Sequence, residues 1–200
     1  MERSAFHLLS AAERSWWYRG RSLIVSTLLK RYAPIDRTTD ILDYGAGNGG
    51  MCATLKTLAP VVIGFEPDAE ARTTATERGY TAVFEKEEDA LARQYGCAIF
   101  CDVVEHLRDD TDTLKRVRGS LREGGSIVIT VPAYQWLWSV HDTTHHHFRR
   151  YNRGHLKRVL EEAGYDVVFI GYWNSFLFPA ALLMRLLGKT GESAIHPPKV

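Results

Sequence analysis

The chain has 200 residues, 45% hydrophobic and 24% charged, with a formal net charge of +1. That composition suits one folded domain with a sizeable core and excludes a chain too polar to fold alone. A balance so close to neutral also excludes a global field for nucleic acid or an anionic membrane, so any such partner would need a local patch.

The cysteines, Cys52, Cys97 and Cys101, are odd in number and form no C-x-x-C pair, which points to reduced thiols and a cytoplasmic protein. Glu2, Arg3, His7, Glu13 and Arg14 interrupt the N-terminal residues, so no signal peptide is expected. The longest apolar stretch, residues 176–187, contains Pro179 and Arg185 and is shorter than the roughly 20 residues of a membrane span. A soluble protein is expected, at most peripheral to a membrane.

In chain order, residues 5–33 have apolar side chains at helical spacing around Trp16, Trp17 and Tyr18, predicting one or two helices in a leader of residues 1–35. The run Ile41-Leu42-Asp43-Tyr44-Gly45-Ala46-Gly47-Asn48-Gly49-Gly50 then predicts a strand that turns tightly into a helix, with backbone N–H groups facing a ligand. Gly45, Gly47 and Gly50 also satisfy the G-x-G-x-x-G dinucleotide pattern, a weak signal when alone. Residues 61–66 supply a second strand ending in Glu66, residues 69–78 a helix stopped by Gly79, and residues 80–84 a third strand.

Residues 85–95 read as a polar helix whose acids, Glu87, Glu88 and Asp89, form a solvated face or include one that bonds an amino group of the ligand. Residues 97–101 are a buried fourth strand, Thr111 caps a helix bearing Leu114, Val117 and Leu121, and residues 126–131 are a fifth strand. Asn152 caps a helix over residues 153–163, and residues 166–172 read as a sixth strand. Strands alternating with helices predict an α/β fold, a doubly wound and mainly parallel sheet in a single domain, with the ligand outside the carboxyl ends of the strands.

The glycine loop, with Asp43 two residues before it and Glu66 closing the second strand, resembles the class I S-adenosylmethionine-dependent methyltransferases. The segment Asp102-Val103-Val104-Glu105-His106 is similar to one in their ubiquinone-pathway O-methyltransferases, and the resemblance runs over residues 16–172. It implies a Rossmann-like methyltransferase fold with residues 36–132 as the donor-binding core, 133–152 as a lid loop and 153–200 as a C-terminal helix, strand and apolar helix. It also implies that Glu66 binds the ribose hydroxyls of S-adenosylmethionine, with Pro67 and Asp68 beside the adenine. Asp43, Gly45, Ala46, Gly47 and Asn48 form the first motif, Cys101 and Asp102 line the donor pocket, and Arg19, with Arg21 second, holds the donor carboxylate. Relatives finish with an antiparallel seventh strand, and nothing after Tyr172 reads as one.

The spacing of Asp102, Glu105 and His106 would place three ligating side chains on one face of a helical turn, a partial set for Mg²⁺, Mn²⁺, Fe²⁺ or Zn²⁺. By the same resemblance, extended to small-RNA 3′-terminal 2′-O-methyltransferases, His147 in the lid is the candidate fourth ligand, with His141 or His145 next. Asp102, Glu105 and His106 serving only to cap a helix is the rival reading. His106, His141 and His147 are the side chains able to take a proton near neutral pH. Arg149, Arg150 and Arg153 make a basic edge suited to a phosphate or carboxylate, and Tyr134, Trp136, Trp138 and Phe148 could wall an apolar acceptor.

The expected activity is methyl transfer to a hydroxyl of a small-molecule or lipid-linked acceptor, with an RNA-terminal 2′-O-methyltransferase as the alternative. A nicotinamide-dependent oxidoreductase and an idle donor-binding module are further rivals. Residues 176–187 could pack on the sheet, cover the pocket, join a homodimer or dock on a membrane.

Overall fold

The computed structural model describes residues 16–175 except 34 and 37, together with 178, 179 and 183. Those residues group into two compact units, one from Met1–Val103 and Leu114–Thr130, the other from Val104–Thr113 and Val131–Val200. The expected helix before residue 16, most of the apolar segment 176–187 and the tail beyond it lie outside the described residues.

In the first unit, helix α1 (Trp16–Tyr32) precedes strand β1 (Asp40–Tyr44), helix α2 (Cys52–Lys56), strand β2 (Val61–Phe65) and helix α3 (Ala69–Glu77). Strand β3 (Ala82–Phe84), helix α4 (Glu87–Leu91) and strand β4 (Tyr95–Cys101) follow. Helix α5 (Asp110–Gly119) starts in the second unit and leads into strand β5 (Leu121–Thr130). The sheet order is β3-β2-β1-β4-β5, and every pairing is parallel.

Parallel strands must be covered on both faces, and their burial shows it. Ile41, Val62, Cys97 and Ile99 pack with Val25 and Leu29 of α1, Cys52 and Leu55 of α2 and Ala75 of α3 in one apolar cluster. The alternate residues Leu42, Ile63, Ala98 and Phe100 are 0–1% exposed, so the opposite face is closed too. Strand order reverses at β1, which has β2 on one side and β4 on the other. The carboxyl ends of these three strands therefore bring Gly45, Glu66 and Asp102 to the position where open α/β sheets bind ligands.

The second unit contains the turn Val104–His106, the loop beyond β5, helix α6 (Val140–Thr144) and helix α7 (Arg153–Glu162). The loop is pinned at its base by a parallel bridge between Ala133 and Tyr151, with Tyr134 N–H donating to the Tyr151 carbonyl at 2.8 Å. Asn152 caps α7 by accepting from His155 N–H at 2.9 Å, as its place in the sequence implied.

Three expectations need correcting. Residues 166–172 form no strand, and Val168 and Phe169 are 75% and 54% exposed: an apolar run without a neighbouring strand has no ladder to join. Thr111 lies inside α5 rather than capping it, and Leu121 opens β5 rather than ending the helix. The polar helix of residues 85–95 shrinks to α4, because Tyr95 already pairs with Leu121 in the sheet.

Candidate functional site

The turn after β1 is built around positive φ. Gly49 has φ +81°, and a Cβ there would come within 2.9 Å of the Ala75 backbone, so packing alone demands glycine. Gly47 has φ +53°, but a Cβ there would meet nothing within 4 Å. Its backbone borders open space, as a turn that admits a ligand requires. The N–H groups of Gly45 and Ala46 both donate to the Phe65 carbonyl at 2.9 Å, tying the turn to the end of β2.

Directly beyond Phe65, the Glu66 carboxylate accepts from Gly47 N–H at 2.8 Å on one oxygen and from Asp68 N–H at 2.9 Å on the other. Each oxygen is held by one donor and keeps accepting capacity. Burial raises the Glu66 carboxyl above its ordinary range, against the pull of the Asp68 and Gly47 N–H groups. Asp68 caps α3 through Glu70 and Ala71 N–H, and Pro67 is exposed beside it.

Asp43 is 2% exposed and accepts from the Tyr80 hydroxyl. Burial raises its carboxyl to about 6, although the Tyr80 bond and the charge of Arg21 pull the other way. Arg21 is itself 8% exposed, bonds Asp102 at 2.6 Å and lies 4.6 Å over the ring of Tyr18. Burial works against its charge, but Asp102 more than offsets this and the guanidinium pKa ends raised. Its Nε is buried with no hydrogen-bond partner among the described residues. A buried donor of a charged group left unmatched costs about 1–3 kcal/mol or more, so the position fits an additional acceptor such as a ligand carboxylate.

Asp102 has φ +58°, a conformation that strains a residue with a Cβ. It is fixed by its own N–H to the Thr130 carbonyl at 3.0 Å and by the Thr130 hydroxyl, which donates to its carboxylate at 2.9 Å.

In the second unit, one ligating atom each of Glu105, His106 and His147 lie within 4.8 Å of one another. The rings of His106 and His147 meet edge to face, their centroids 4.5 Å apart. Glu105 is 1% exposed, and its carbonyl accepts from Phe148 N–H at 2.8 Å, which fixes the two segments together. His147 Nδ1 is 2.9 Å from Asp142, a fully buried carboxylate. A carboxylate only accepts, so Nδ1 carries the proton of that bond, and in a neutral ring Nε2 has the lone pair.

Asp142 is held by Arg150 through two bonds of 2.7 and 2.8 Å and by the N–H and hydroxyl of Ser139 at 2.8 and 3.0 Å. Burial raises its pKa, but His147 and Arg150 overcome that and hold it far below the usual carboxylate range.

A methyltransferase-domain family model matches residues 16–169. The chain belongs to this family. It is a class I S-adenosylmethionine-dependent methyltransferase, an enzyme. Its fold recurs in a proposed methyltransferase bound to the Trm112 methyltransferase activator of Haloferax volcanii, 18% identical with TM-score 0.66, covering 92% of this chain and 91% of that one. A proposed methyltransferase from Bacillus halodurans is 15% identical with TM-score 0.58, covering 70% and 68%. Phosphoethanolamine N-methyltransferase 2 of Haemonchus contortus, in complex with S-adenosyl-L-methionine, is 16% identical with TM-score 0.63, covering 86% of this chain and 43% of that one. No curated protein matches the chain in sequence.

Within this methyltransferase the two leader arginines are placed differently. Arg19 is exposed and lines an outer groove with Tyr18, Ser22 and Gly50, whereas Arg21 points inward to Asp102. Asn48 is buried in the turn, and Cys101 is half-buried at the end of β4.

The acid and histidine set is gathered only in part. Asp102 lies outside the helical turn, in the first unit, with its carboxylate on Arg21 and Thr130, so the trio is Glu105, His106 and His147. The His141 ring centroid is 4.0 Å from that of His145, and partial burial of the imidazole, then the charge of His145, lowers its pKa. Glu87 is tied to the Tyr44 hydroxyl and Arg116. Trp138 is buried, whereas Trp136 is 48% exposed.

Sequence reasoning passed over Tyr80, Thr130 and Asp142. Only Asp142 had a local signal: Ser139 and Asp142 form a capping box at α6, a pattern readable three residues apart.

Proposed function

We propose that this methyltransferase moves the methyl group of S-adenosylmethionine to a hydroxyl of a small-molecule or lipid-linked acceptor. The buried Arg21 Nε, with no hydrogen-bond partner among the described residues, is the observation that carries the donor-side reading. Arg21 would bind the donor carboxylate, Glu66 the ribose hydroxyls, Gly47 and Asn48 would approach through the backbone, and Cys101 would border the sulfonium end. Arg19, exposed on α1, is the lesser candidate for the carboxylate. A sulfonium methyl group arrives already activated, so the protein's task is alignment and removal of the acceptor proton.

His147 is the proton acceptor in this reading, its Nε2 freed by the bond from Nδ1 to Asp142. His106 is next to it and His141 is the third candidate. The same trio, two imidazoles and one carboxylate, suits Zn²⁺, Fe²⁺ or Mn²⁺ better than Mg²⁺, which prefers oxygen ligands. Asp142 behind His147 has the place of the carboxylate that commonly orients a ligating histidine. Such an ion, when bound by Glu105, His106 and His147, would instead lower the pKa of a hydroxyl acceptor, His147 Nε2 then being a ligand and no longer the proton acceptor.

The test is transfer from methyl-labelled donor to a panel of alcohols, phenols and amines, with and without chelator. Labelling of oxygen, lost in His147→Ala, supports the reading; labelling of amines alone, or full activity in His147→Ala, contradicts it.

A further inference from the structure

The second unit contains a groove of about 520 Å³, within the roughly 300–1,000 Å³ of small-ligand sites. It is lined by Arg108, Arg149, Arg150, Gln135, Asn152, His155 and one carboxylate, Asp110, so three guanidinium groups and an imidazole share the wall with a single acid.

Each side-chain oxygen of that wall already accepts at least one hydrogen bond. Asp110 takes Thr111 N–H at 2.7 Å on one oxygen, and the Tyr151 hydroxyl at 2.6 Å and Arg149 at 2.8 Å on the other. Gln135 Oε1 accepts from Arg150 N–H at 2.8 Å, and Asn152 Oδ1 accepts from His155 N–H at 2.9 Å. Those bonds fix the amide orientations, so the NH₂ groups of both amides are left for a ligand. Arg149 also donates to the Arg108 carbonyl at 2.8 Å, and Arg150 is clamped on Asp142, so both are fixed before any ligand arrives. Arg108 has no carboxylate partner among the described residues; its guanidinium lies 6.0 Å over the ring of Phe148.

A wall whose side-chain oxygens each already accept a bond, and whose remaining side-chain groups are donors apart from the His155 imidazole, favours a ligand made of acceptors. Three fixed or stacked guanidiniums and two amides exceed what the two oxygens of a carboxylate can take up, and suit the oxygens of a phosphate.

We propose that this groove is a subsite for a phosphate group on the acceptor. The inference deepens, and rests on, the methyl-transfer reading above. The phosphate is carried either by a soluble monoester or by a lipid headgroup, which the test separates.

The test follows the Arg Nε–H resonances of ¹⁵N-labelled full-length protein. Inorganic phosphate and glycerol 3-phosphate are the soluble probes. Vesicle binding is measured by sedimentation, with phosphatidylcholine alone and with phosphatidic acid added. Expected is saturable binding of phosphate or of the phosphatidate vesicles that weakens at least about tenfold in Arg108→Ala, the loss of one charge-assisted donor. Arg118→Ala, a change of equal charge elsewhere, should leave it as in wild type. Dependence on Arg108 with glycerol 3-phosphate identifies a soluble acceptor, and with phosphatidate vesicles alone a lipid-linked one. Absence of saturable binding, or binding equal in wild type and Arg108→Ala, overturns the proposal. Titration of S-adenosylhomocysteine on the same samples reads the donor side separately, so a failed subsite and a failed methyltransferase reading give different results.

Discussion

Asp43 illustrates how one residue combines structure with a cost in stability. Its carboxyl is raised to about 6 in the folded state, above the 3.8 of an exposed aspartate, so the folded chain binds more protons than the unfolded chain between those values. Stability contributed by this group is therefore complete below about pH 4 and is lost as pH rises through about 6, by roughly 3 kcal/mol. Asp43→Asn keeps an acceptor for Tyr80 and cannot ionise. Thermal melts from pH 4 to 7.5 should show the variant gaining on wild type as pH rises through 6; a constant difference would contradict the raised pKa. The requirement for an acid at this position was legible in the sequence, since it precedes the glycine turn. Its partner Tyr80 was not, because 37 residues separate the two and nothing local connects them.

The elements divide into those that report themselves locally and those that depend on distant partners. The turn after β1 belongs to the first kind, and its glycines predict opposite outcomes. Gly47→Ala adds a methyl into open space at φ +53°, costing about 1 kcal/mol of stability while blocking the donor. Gly49→Ala drives a Cβ into the Ala75 backbone and should unfold the unit at lower temperature by a much larger margin. Comparing the melting temperature and donor affinity of the two variants checks both.

The segment of residues 133–152 is of the second kind. Its histidine run drew attention to ligands, whereas Asp142 is what fixes His147 and Arg150. Asp142→Asn leaves a half-buried guanidinium without its charge partner and should destabilise by roughly 3–5 kcal/mol in denaturant titration. A loss under 1 kcal/mol would show that the network is ornamental. Residues 166–172 failed as a strand for a related reason. Strand propensity identifies a chain that could pair, and pairing needs a neighbour that periodicity does not reveal.

At the scale of the whole molecule, parallel topology and the switch point beside β1 follow from alternating strands and helices, and so were readable in advance. The assignment of the proposed donor residues to one compact unit and of Glu105, His106 and His147 to the other was not, because Asp102 and Glu105 are only three residues apart in the chain. That division predicts separable losses. His147→Ala should abolish methyl transfer and weaken Zn²⁺ or Mn²⁺ binding, while S-adenosylhomocysteine affinity stays within about twofold of wild type, since no donor contact is removed.

The proposed grip of Glu66, held by Gly47 and Asp68, on the sugar of the methyl donor is tested directly by calorimetric titration of S-adenosylhomocysteine into wild type and Glu66→Ala. Loss of two charge-assisted bonds should raise Kd by about a hundredfold or more, with circular dichroism showing the fold retained. A Kd unchanged by the substitution would contradict the account.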